Sequence, residues 1–301
     1  MDVKENVLLA PLTTFAIGGP ARYFVEVASE AEVRSALGWA RQQGVPFFVM
    51  AGGSNVLVPD AGLDGLVIRF VAEQFDVTDT GLEAQAGCNL LSLIRASAEA
   101  GLGGWEKLSG IPGTIGGAVR GNAGAFGPEI KDFVTWVRAI NTKTEDVHEF
   151  SNAECEFDYR MSYFKKNPEW IILDVHVQLG ASEPALIDET IREREKRHIQ
   201  NVRAAGSYFM NPVAPLHIVN MFEEEKSVKS RGGRVPAGWL IDKAGLKGAA
   251  LGGAQVSPQQ ANYIINTGTA TAEDVRELAQ KVKDEVRRRF DVALMEEAVV
   301  L

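Results

Sequence analysis

The stretch GIPGTIGGAVRGNAGAFG, residues 110–127, is the part of the sequence that says most about the fold. It ends a longer segment, residues 101–127, that holds ten glycines. Each glycine costs ~0.5–1 kcal/mol relative to alanine inside a helix or strand, so a purely structural segment rarely keeps so many. No Gly-x-Gly-x-x-Gly stands between a strand and a helix here, which excludes the Rossmann fingerprint. The small, nearly uncharged residues instead predict a loop that lines a large flat ligand, such as a flavin ring or a pyrophosphate.

A second glycine-rich motif, AGGSN at residues 51–55, follows an apolar strand predicted at residues 46–50. Glycine lets the backbone turn tightly and approach a ligand closely, and free amide groups with the Ser54 hydroxyl suit a phosphate. An ordinary turn explains this fragment equally well when it is taken alone.

Two later segments carry candidate chemistry. In YRMSYFK, residues 159–165, an arginine between aromatic residues can present a planar fork to a carboxylate, although a strand end with a surface ion pair is the simpler interpretation. In AGSYFMNP, residues 205–212, Gly206 frees the backbone beside Ser207. Neither a Gly-x-Ser-x-Gly elbow nor a convincing Ser-His-Asp order is present, so Ser207 is expected to donate a proton or a hydrogen bond rather than act as a nucleophile.

Strands and helices alternate along the chain. Ser29 with Glu32 predicts a capping box, Gly44 the end of the first helix, and Thr271 the start of the clearest amphipathic helix. A polar stretch, residues 223–238, is expected to join two lobes or form a surface loop. Strands are predicted at residues 23–27, 46–50, 66–70, 133–141 and 170–179, and further helices at 90–100 and 184–198.

Composition restricts the function classes. The chain has 301 residues, 46% of them hydrophobic, and 31 basic against 40 acidic residues give a net charge of −9. The hydrophobic fraction excludes intrinsic disorder, and the negative net charge disfavours nucleic acid as a partner. Two distant cysteines and four scattered histidines, including His198, predict neither a disulfide framework nor a metal site. No secretory signal or membrane-length apolar run is visible, so a cytoplasmic protein is expected.

Taken together, the motifs resemble the UDP-N-acetylenolpyruvoylglucosamine reductase family, in its shorter type. Seven motifs match in the family's order, at residues 13–19, 52–58, 110–127, 159–165, 206–212, 237–242 and 246–248. The resemblance implies an α+β fold: a two-lobed FAD-binding domain of the vanillyl-alcohol-oxidase type, with lobes at residues 1–70 and 71–200, and a C-terminal α+β substrate-binding domain at 201–301. Its last ten or so residues are expected to return to the active site.

The resemblance also implies the chemistry. NADPH reduces non-covalent FAD, and the enolpyruvyl ether of UDP-N-acetylglucosamine then receives the hydride, giving UDP-N-acetylmuramate for the cell wall. The enzyme is expected to be a monomer. Arg160 would stabilise developing negative charge, Ser207 would supply the proton, and Glu297 would complete the catalytic set. Expected cofactor contacts are Gly52, Gly53, Ser54, Asn55, Pro112, Gly113, Gly116, Gly117, Asn122, Gly124 and Ala125; expected substrate contacts are Tyr159, Asn211, Arg234 and Gln260.

The sequence departs from the family pattern in three places. The family tail resembles Leu-Glu-Pro-Glu-Val, whereas this chain has LMEEA at residues 294–298. Alignment on Phe290 and Leu294 makes Glu297 the catalytic position, and Glu296 replaces the proline. Neighbours in a strand point to opposite faces, so the choice between these two carboxylates matters. Arg234 stands where lysine is common, and Asn201 where proline commonly follows glutamine.

Two other functions remain open at this point. One is an FAD oxidase of the same fold acting on an alcohol or sugar. Many such oxidases attach flavin through His or Cys, and neither occurs in residues 52–55 or 110–127. The other is a catalytically silent protein that binds a nucleotide sugar, which the retention of Arg160, Ser207 and Glu297 disfavours.

Overall fold

The computed structural model describes residues 1–197 and 202–301. These form two compact units. The first unit comprises Met1–Val7, Ala21–Gly53 and Asp64–Lys196, and the second comprises Leu8–Pro20, Ser54–Leu63 and Arg197–Leu301. The boundaries at residues 70 and 200 between lobes and substrate domain stay predictions. His198 and Asn201, singled out above, lie outside the described residues.

The described residues mix helices with strands, as expected for an α+β fold. The helices are α1 Glu30–Gln43, α2 Leu90–Glu99, α3 Ile115–Gly121, α4 Tyr163–Lys166, α5 Ala185–Arg197, α6 Leu216–Lys226, α7 Ala237–Lys243 and α8 Ala272–Phe290. The strands are β1 Lys4–Leu8, β2 Pro20–Val27, β3 Phe47–Met50, β4 Val56–Leu57, β5 Leu63–Phe70, β6 Phe75–Val77, β7 Gly81–Gln85, β8 Leu102–Gly103, β9 Val134–Asn141, β10 Val147–Ser151, β11 Trp170–Gln178, β12 Gly180–Ala181, β13 Ala250–Leu251, β14 Ala254–Val256, β15 Ile264–Asn266 and β16 Val299–Val300.

The first unit is built on two larger sheets. One has the strand order β1-β2-β5-β3, in which β3 and β5 run parallel with Phe47 opposite Leu66. The other has the order β10-β9-β11-β7-β6, and its neighbouring strands are antiparallel. Strands β8 and β12 form a small pair of their own. Alternating apolar residues along these strands, with the inner faces of α1 and α2, make one continuous core.

Helix α1 shows how far local sequence rules hold. The Ser29 hydroxyl accepts the Glu32 amide at 3.3 Å, and Gly44 ends the helix at φ +66°. The Glu32 carboxylate, however, accepts the amide of Ala28 at 2.6 Å. The predicted capping box is therefore confirmed in its first half, whereas the return bond reaches one residue further back than predicted.

The second unit packs around α8. Its buried face carries the predicted residues Val275, Leu278, Val282 and Val286. Thr271 caps the helix and forms a capping box with Asp274. Strands β13-β14-β15 form an antiparallel sheet, and β16 pairs in parallel with β4.

The structure corrects two expectations, one based on the polarity of residues 223–238 and one based on the glycine content of residues 101–127. Residues 223–238 are not a linker or loop throughout, because α6 extends to Lys226, α7 begins at Ala237, and the whole stretch belongs to the second unit. Gly116 and Gly117, expected outside regular structure, lie within α3. Among residues 1–197 and 202–301, no helix is long and apolar enough to cross a membrane.

Candidate active site

The glycine-rich stretch forms a short helix and the turns on either side of it. Thr114 caps α3 by accepting the amide of Gly117 at 3.2 Å, and Asn122 ends it in a left-handed conformation, φ +41°. A Cβ added to Gly116 would lie 2.6 Å from the Cβ of Ala86, and the Gly116 amide donates to the Ala86 carbonyl at 3.0 Å. Gly116 therefore allows α3 to pack closely on the strand end beside it.

Other glycines of this region leave a bare backbone surface. A Cβ on Gly117 would meet only the Thr114 Oγ1, at 3.5 Å, and Gly117 is exposed. Gly113 has φ +117°, which a residue with a side chain rarely adopts. A Cβ on Gly52 would lie 3.6 Å from the Gly113 Cα, so the two glycine-rich motifs lie side by side within the first unit. Gly52, Gly113 and Gly117 thus leave a surface of bare main chain, called the cradle below, that side chains at these positions would fill.

Ser54 and Asn55 belong to the second unit, and both form hydrogen bonds within it. The Ser54 carbonyl accepts the Thr14 hydroxyl at 3.2 Å. The Asn55 amide donates to the Glu297 carbonyl at 3.1 Å, while its Oδ1 is buried without a hydrogen-bond partner among the described residues. A buried acceptor of this kind is costly unless a ligand or water donates to it.

Arg160 sits in a strained turn of the first unit. The amides and carbonyls of Asp158 and Met161 bond reciprocally at 3.0 Å, and Arg160 is the third residue of this turn with φ +54°. That position ordinarily favours glycine or asparagine, and a residue such as arginine stays there only where its surroundings hold it, at a cost of about 1–3 kcal/mol. Such outliers often accompany function.

The surroundings of Arg160 account for that conformation. Its guanidinium donates from Nη2 to the Gly124 carbonyl at 2.9 Å and from Nη1 to the Asn122 carbonyl at 3.4 Å. The guanidinium also lies 5.2 Å from the centre of the Tyr159 ring. The Lys165 ammonium donates to the Arg160 carbonyl at 3.0 Å. The structure thus brings the predicted catalytic arginine against the predicted ligand loop.

In the second unit, the C-terminal residues run beside the Ser207 segment. The Glu297 amide donates to the Tyr208 carbonyl at 2.8 Å, and the Met210 amide donates to the Met295 carbonyl at 2.9 Å. The C-terminal residues therefore lie beside the segment that contains the partly buried Ser207. The carboxylate of Glu296, one of the two candidate glutamates, forms an ion pair with Lys283 on α8 at 3.0 Å.

Three of the four predicted substrate residues converge at the start of α7. The Oδ1 of Asn211 accepts the Ala237 amide at 3.0 Å, and Arg234 donates to the Asn211 carbonyl at 3.1 Å. Gln260 lies close to Gly238, the second residue of α7, with its Oε1 3.1 Å from the point that a Cβ on Gly238 would occupy. The fourth residue, Tyr159, belongs to the first unit.

Sequence reasoning missed Asn262. This buried side chain accepts a hydrogen bond from the Phe209 amide at 3.1 Å and donates one to the Phe209 carbonyl at 2.8 Å. The main-chain carbonyl of Asn262 accepts the Tyr208 amide at 2.7 Å. It therefore fixes the backbone directly after Ser207. The only signal in the sequence is one amide within the apolar run 261–265.

Comparison with known proteins gives consistent results for both parts of the chain. Residues 21–151 match an FAD binding domain, and residues 197–301 match the C-terminal domain of UDP-N-acetylenolpyruvoylglucosamine reductase. The bare main chain that Gly52, Gly113 and Gly117 leave within the first unit fits the close approach of a large cofactor with a pyrophosphate. The chain is an FAD-dependent oxidoreductase.

Similar proteins cover the chain from end to end. The UDP-N-acetylenolpyruvoylglucosamine reductase of Solibacter usitatus is 36% identical over 99% of this chain and 96% of its own length. That of Carboxydothermus hydrogenoformans is 39% identical over 99% and 94%. The crystal structure of the Thermus caldophilus enzyme superposes with a TM-score of 0.79 at 31% identity, covering 100% of this chain and 99% of that one. The predicted fold class is thereby confirmed, and the chain belongs to the UDP-N-acetylenolpyruvoylglucosamine reductase family.

Proposed function

We propose that this chain reduces the enolpyruvyl ether of UDP-N-acetylglucosamine to UDP-N-acetylmuramate during peptidoglycan synthesis, with NADPH as the hydride donor. The observation that supports this most strongly is the contact of the Arg160 guanidinium with the carbonyls of Gly124 and Asn122. It joins a cation suited to a substrate carboxylate with a loop suited to a flavin. We also propose that the protein acts as a monomer in the cytoplasm.

FAD, when bound, would supply the hydride-transfer chemistry between NADPH and the substrate. Glycines 52, 53, 113 and 117 would let the backbone approach the cofactor, because side chains there would occupy its space or strain the turn. Ser54 would offer a hydroxyl, and the buried Oδ1 of Asn55 would accept a hydrogen bond. Pro112, Gly124 and Ala125 would line the cradle through their main chain, and Gly116 would support it by letting α3 pack on Ala86.

Arg160 would bind the carboxylate of the enolpyruvyl group. Hydride addition to the terminal enol carbon builds negative charge on the adjacent carbon, and that charge spreads into the carboxylate. A planar guanidinium can donate to a carboxylate while other N–H groups remain bonded to main-chain carbonyls. The rigid support of Arg160 would keep this cation in place without reorganisation during the reaction.

Ser207 would give its proton to the carbon next to the carboxylate, completing the addition of one hydride and one proton across the double bond. Glu297 would support this proton transfer. We assign this role to Glu297 rather than Glu296 because alignment on Phe290 and Leu294 places Glu297 at the family's catalytic position. Tyr159, Asn211, Arg234 and Gln260 would bind the nucleotide sugar, with Arg234 suited to its diphosphate.

The direct test is NADPH oxidation by the purified yellow protein with and without the enolpyruvyl nucleotide sugar, together with oxygen consumption. We expect oxidation to depend on the nucleotide sugar and to yield the lactyl ether product. Oxidation of an alcohol or sugar by oxygen without NADPH would identify an oxidase instead. A colourless protein that binds the nucleotide sugar without reducing it would also contradict the proposal.

A further inference from the structure

The geometry points to Asn122 as a positioning residue for Arg160, rather than as a residue whose side chain contacts a ligand. This inference rests on the proposed function, in which Arg160 meets the substrate carboxylate. It concerns how a residue distant in sequence keeps that guanidinium at a fixed place.

Asn122 is fully buried, with 0% of its surface exposed, and its side chain bonds only to the protein around it. Its Nδ2 donates to the Asp158 carbonyl at 2.8 Å and to the Glu129 carboxylate at 3.1 Å. Its Oδ1 accepts the Lys131 amide at 3.3 Å. Both N–H groups of the amide are therefore used within the first unit.

The hydrogen bonds of Asn122 reach both features that hold Arg160, namely the turn at residues 158–161 and the carbonyls that accept its guanidinium. The Asp158 carbonyl, which accepts from Asn122, also closes the turn that holds Arg160 at φ +54°. The Asn122 carbonyl itself accepts from Nη1 of Arg160. One asparagine thus fixes the backbone that carries the arginine and one of the carbonyls that orients its guanidinium.

Glu129 extends the same hydrogen-bond network to the Gly124 carbonyl, the second acceptor of the Arg160 guanidinium. It forms a β-bridge with Gly124, whose carbonyl accepts Nη2 of Arg160. A Cβ on Gly124 would lie 2.7 Å from Cγ of Glu129, so this close packing needs glycine. Holding the Glu129 carboxylate, Asn122 therefore also stabilises the position of the Gly124 carbonyl.

The test begins with Asn122→Asp, which keeps the shape but removes both donors and places a carboxylate against Glu129 and the Asp158 carbonyl. Misplacement of a reacting group by about 1 Å can cost ~10²-fold in rate. We expect the rate at which the nucleotide sugar re-oxidises the NADPH-reduced enzyme to fall ~10–100-fold. FAD content and the rate of reduction by NADPH should stay within about twofold of wild type, because neither depends on Arg160 in this proposal.

A matched rescue distinguishes positioning from a general loss of structure. Glu129→Gln alone is measured as the reference for the double variant: its amide oxygen can still accept from Asn122, while its ion pair with Lys131 is lost. Combined with Asn122→Asp, it returns a donor facing the new carboxylate and should recover part of the lost rate. A double variant no faster than Asn122→Asp, or an equal fall in FAD content and in both half-reactions, would overturn the inference.

Crystal structures give a readout that does not depend on turnover. In Asn122→Asp, or in Asn122→Gly if the aspartate variant does not fold, Nη2 of Arg160 should move away from the Gly124 carbonyl by more than about 1 Å. Glycine keeps the left-handed conformation accessible, so it removes only the side chain. An Arg160 that stays in place would overturn the inference. A wild-type enzyme inert towards the nucleotide sugar would instead refute the proposed function, and the Arg160 position would still decide the role of Asn122.

Discussion

Nη2 of Arg160 lies 2.9 Å from the main-chain oxygen of Gly124, although 36 positions separate the two residues along the chain. The contact joins the residue that the family motif marks as catalytic to the loop that the glycine content marks as a ligand site. Because carbonyls of this loop orient the guanidinium, loss of the support of Arg160 is expected to affect substrate reduction, whereas a side chain added to an exposed glycine of the loop is expected to affect cofactor binding. The following predictions separate these contributions.

Gly117→Val should yield a folded protein that binds FAD weakly. A side chain at Gly117 meets only the Thr114 Oγ1, so the chain can accommodate it, but it would project into the proposed cradle. Gly121→Val is the matched control, because it lies in the same helix and a Cβ there meets no atom within 4 Å. The flavin-to-protein ratio after gel filtration measures the effect, and full occupancy in Gly117→Val would place the cofactor elsewhere.

The two C-terminal glutamates should respond differently to replacement by glutamine. Glu296→Gln removes a partly exposed ion pair with Lys283 and should cost at most about 1 kcal/mol of stability, with turnover nearly unchanged. Glu297→Gln should lower kcat by ~10²-fold or more. Urea unfolding and steady-state kinetics on both variants check this. The reverse pattern would assign the catalytic role to Glu296.

NADPH and the nucleotide sugar should compete for one binding region. In the proposed reaction the hydride enters and leaves at the same flavin position, so the two ligands cannot both occupy it. Initial rates should then give parallel double-reciprocal lines, with inhibition at high nucleotide-sugar concentration. Intersecting lines that report a ternary complex would contradict the shared region.

Cys88 and Cys155 should resist thiol reagents in the folded protein at pH 8. Both are buried, and burial raises the pKa of Cys88 to about 11 and that of Cys155 to about 12. Since only the thiolate is nucleophilic, both thiols should stay protonated and unreactive below these values. A colorimetric thiol assay should count two thiols after denaturation and almost none before. Rapid labelling of the native protein would show that one site opens readily.

Local sequence signals predicted α1, α2, β9 and β11 to within a few residues, whereas α4, α6, α7 and most of the short strands were not predicted. Ser29, Gly44 and Thr271 act as caps because their chemistry operates within one helical turn. Helix α3 was missed because glycine has a low helix propensity. There the close packing of Gly116 on Ala86, a contact between residues far apart in sequence, outweighs that propensity.

In the candidate site, too, contacts between residues far apart in sequence could not be predicted from local patterns. The motifs indicated Arg160, Asn211 and Arg234, yet only the fold shows that Asn211 caps α7 and that Arg234 donates to its carbonyl. Asn262 has no motif, because its importance lies in hydrogen bonds to Phe209, 53 positions away. Sequence patterns indicate which residues carry chemistry, whereas long-range hydrogen bonds decide which residues hold them in place.

The most direct test of the proposed reaction is anaerobic rapid mixing of NADPH-reduced enzyme with the enolpyruvyl nucleotide sugar, compared between wild type and Ser207→Ala. Wild type should recover the oxidised flavin spectrum with equal formation of product. Ser207→Ala should be reduced by NADPH at the normal rate, but its re-oxidation should be slower by ~10²–10⁴-fold, because the proton donor is missing. Normal re-oxidation of Ser207→Ala, or slowed reduction by NADPH, would contradict the role of Ser207; no re-oxidation of wild type would contradict the reaction itself.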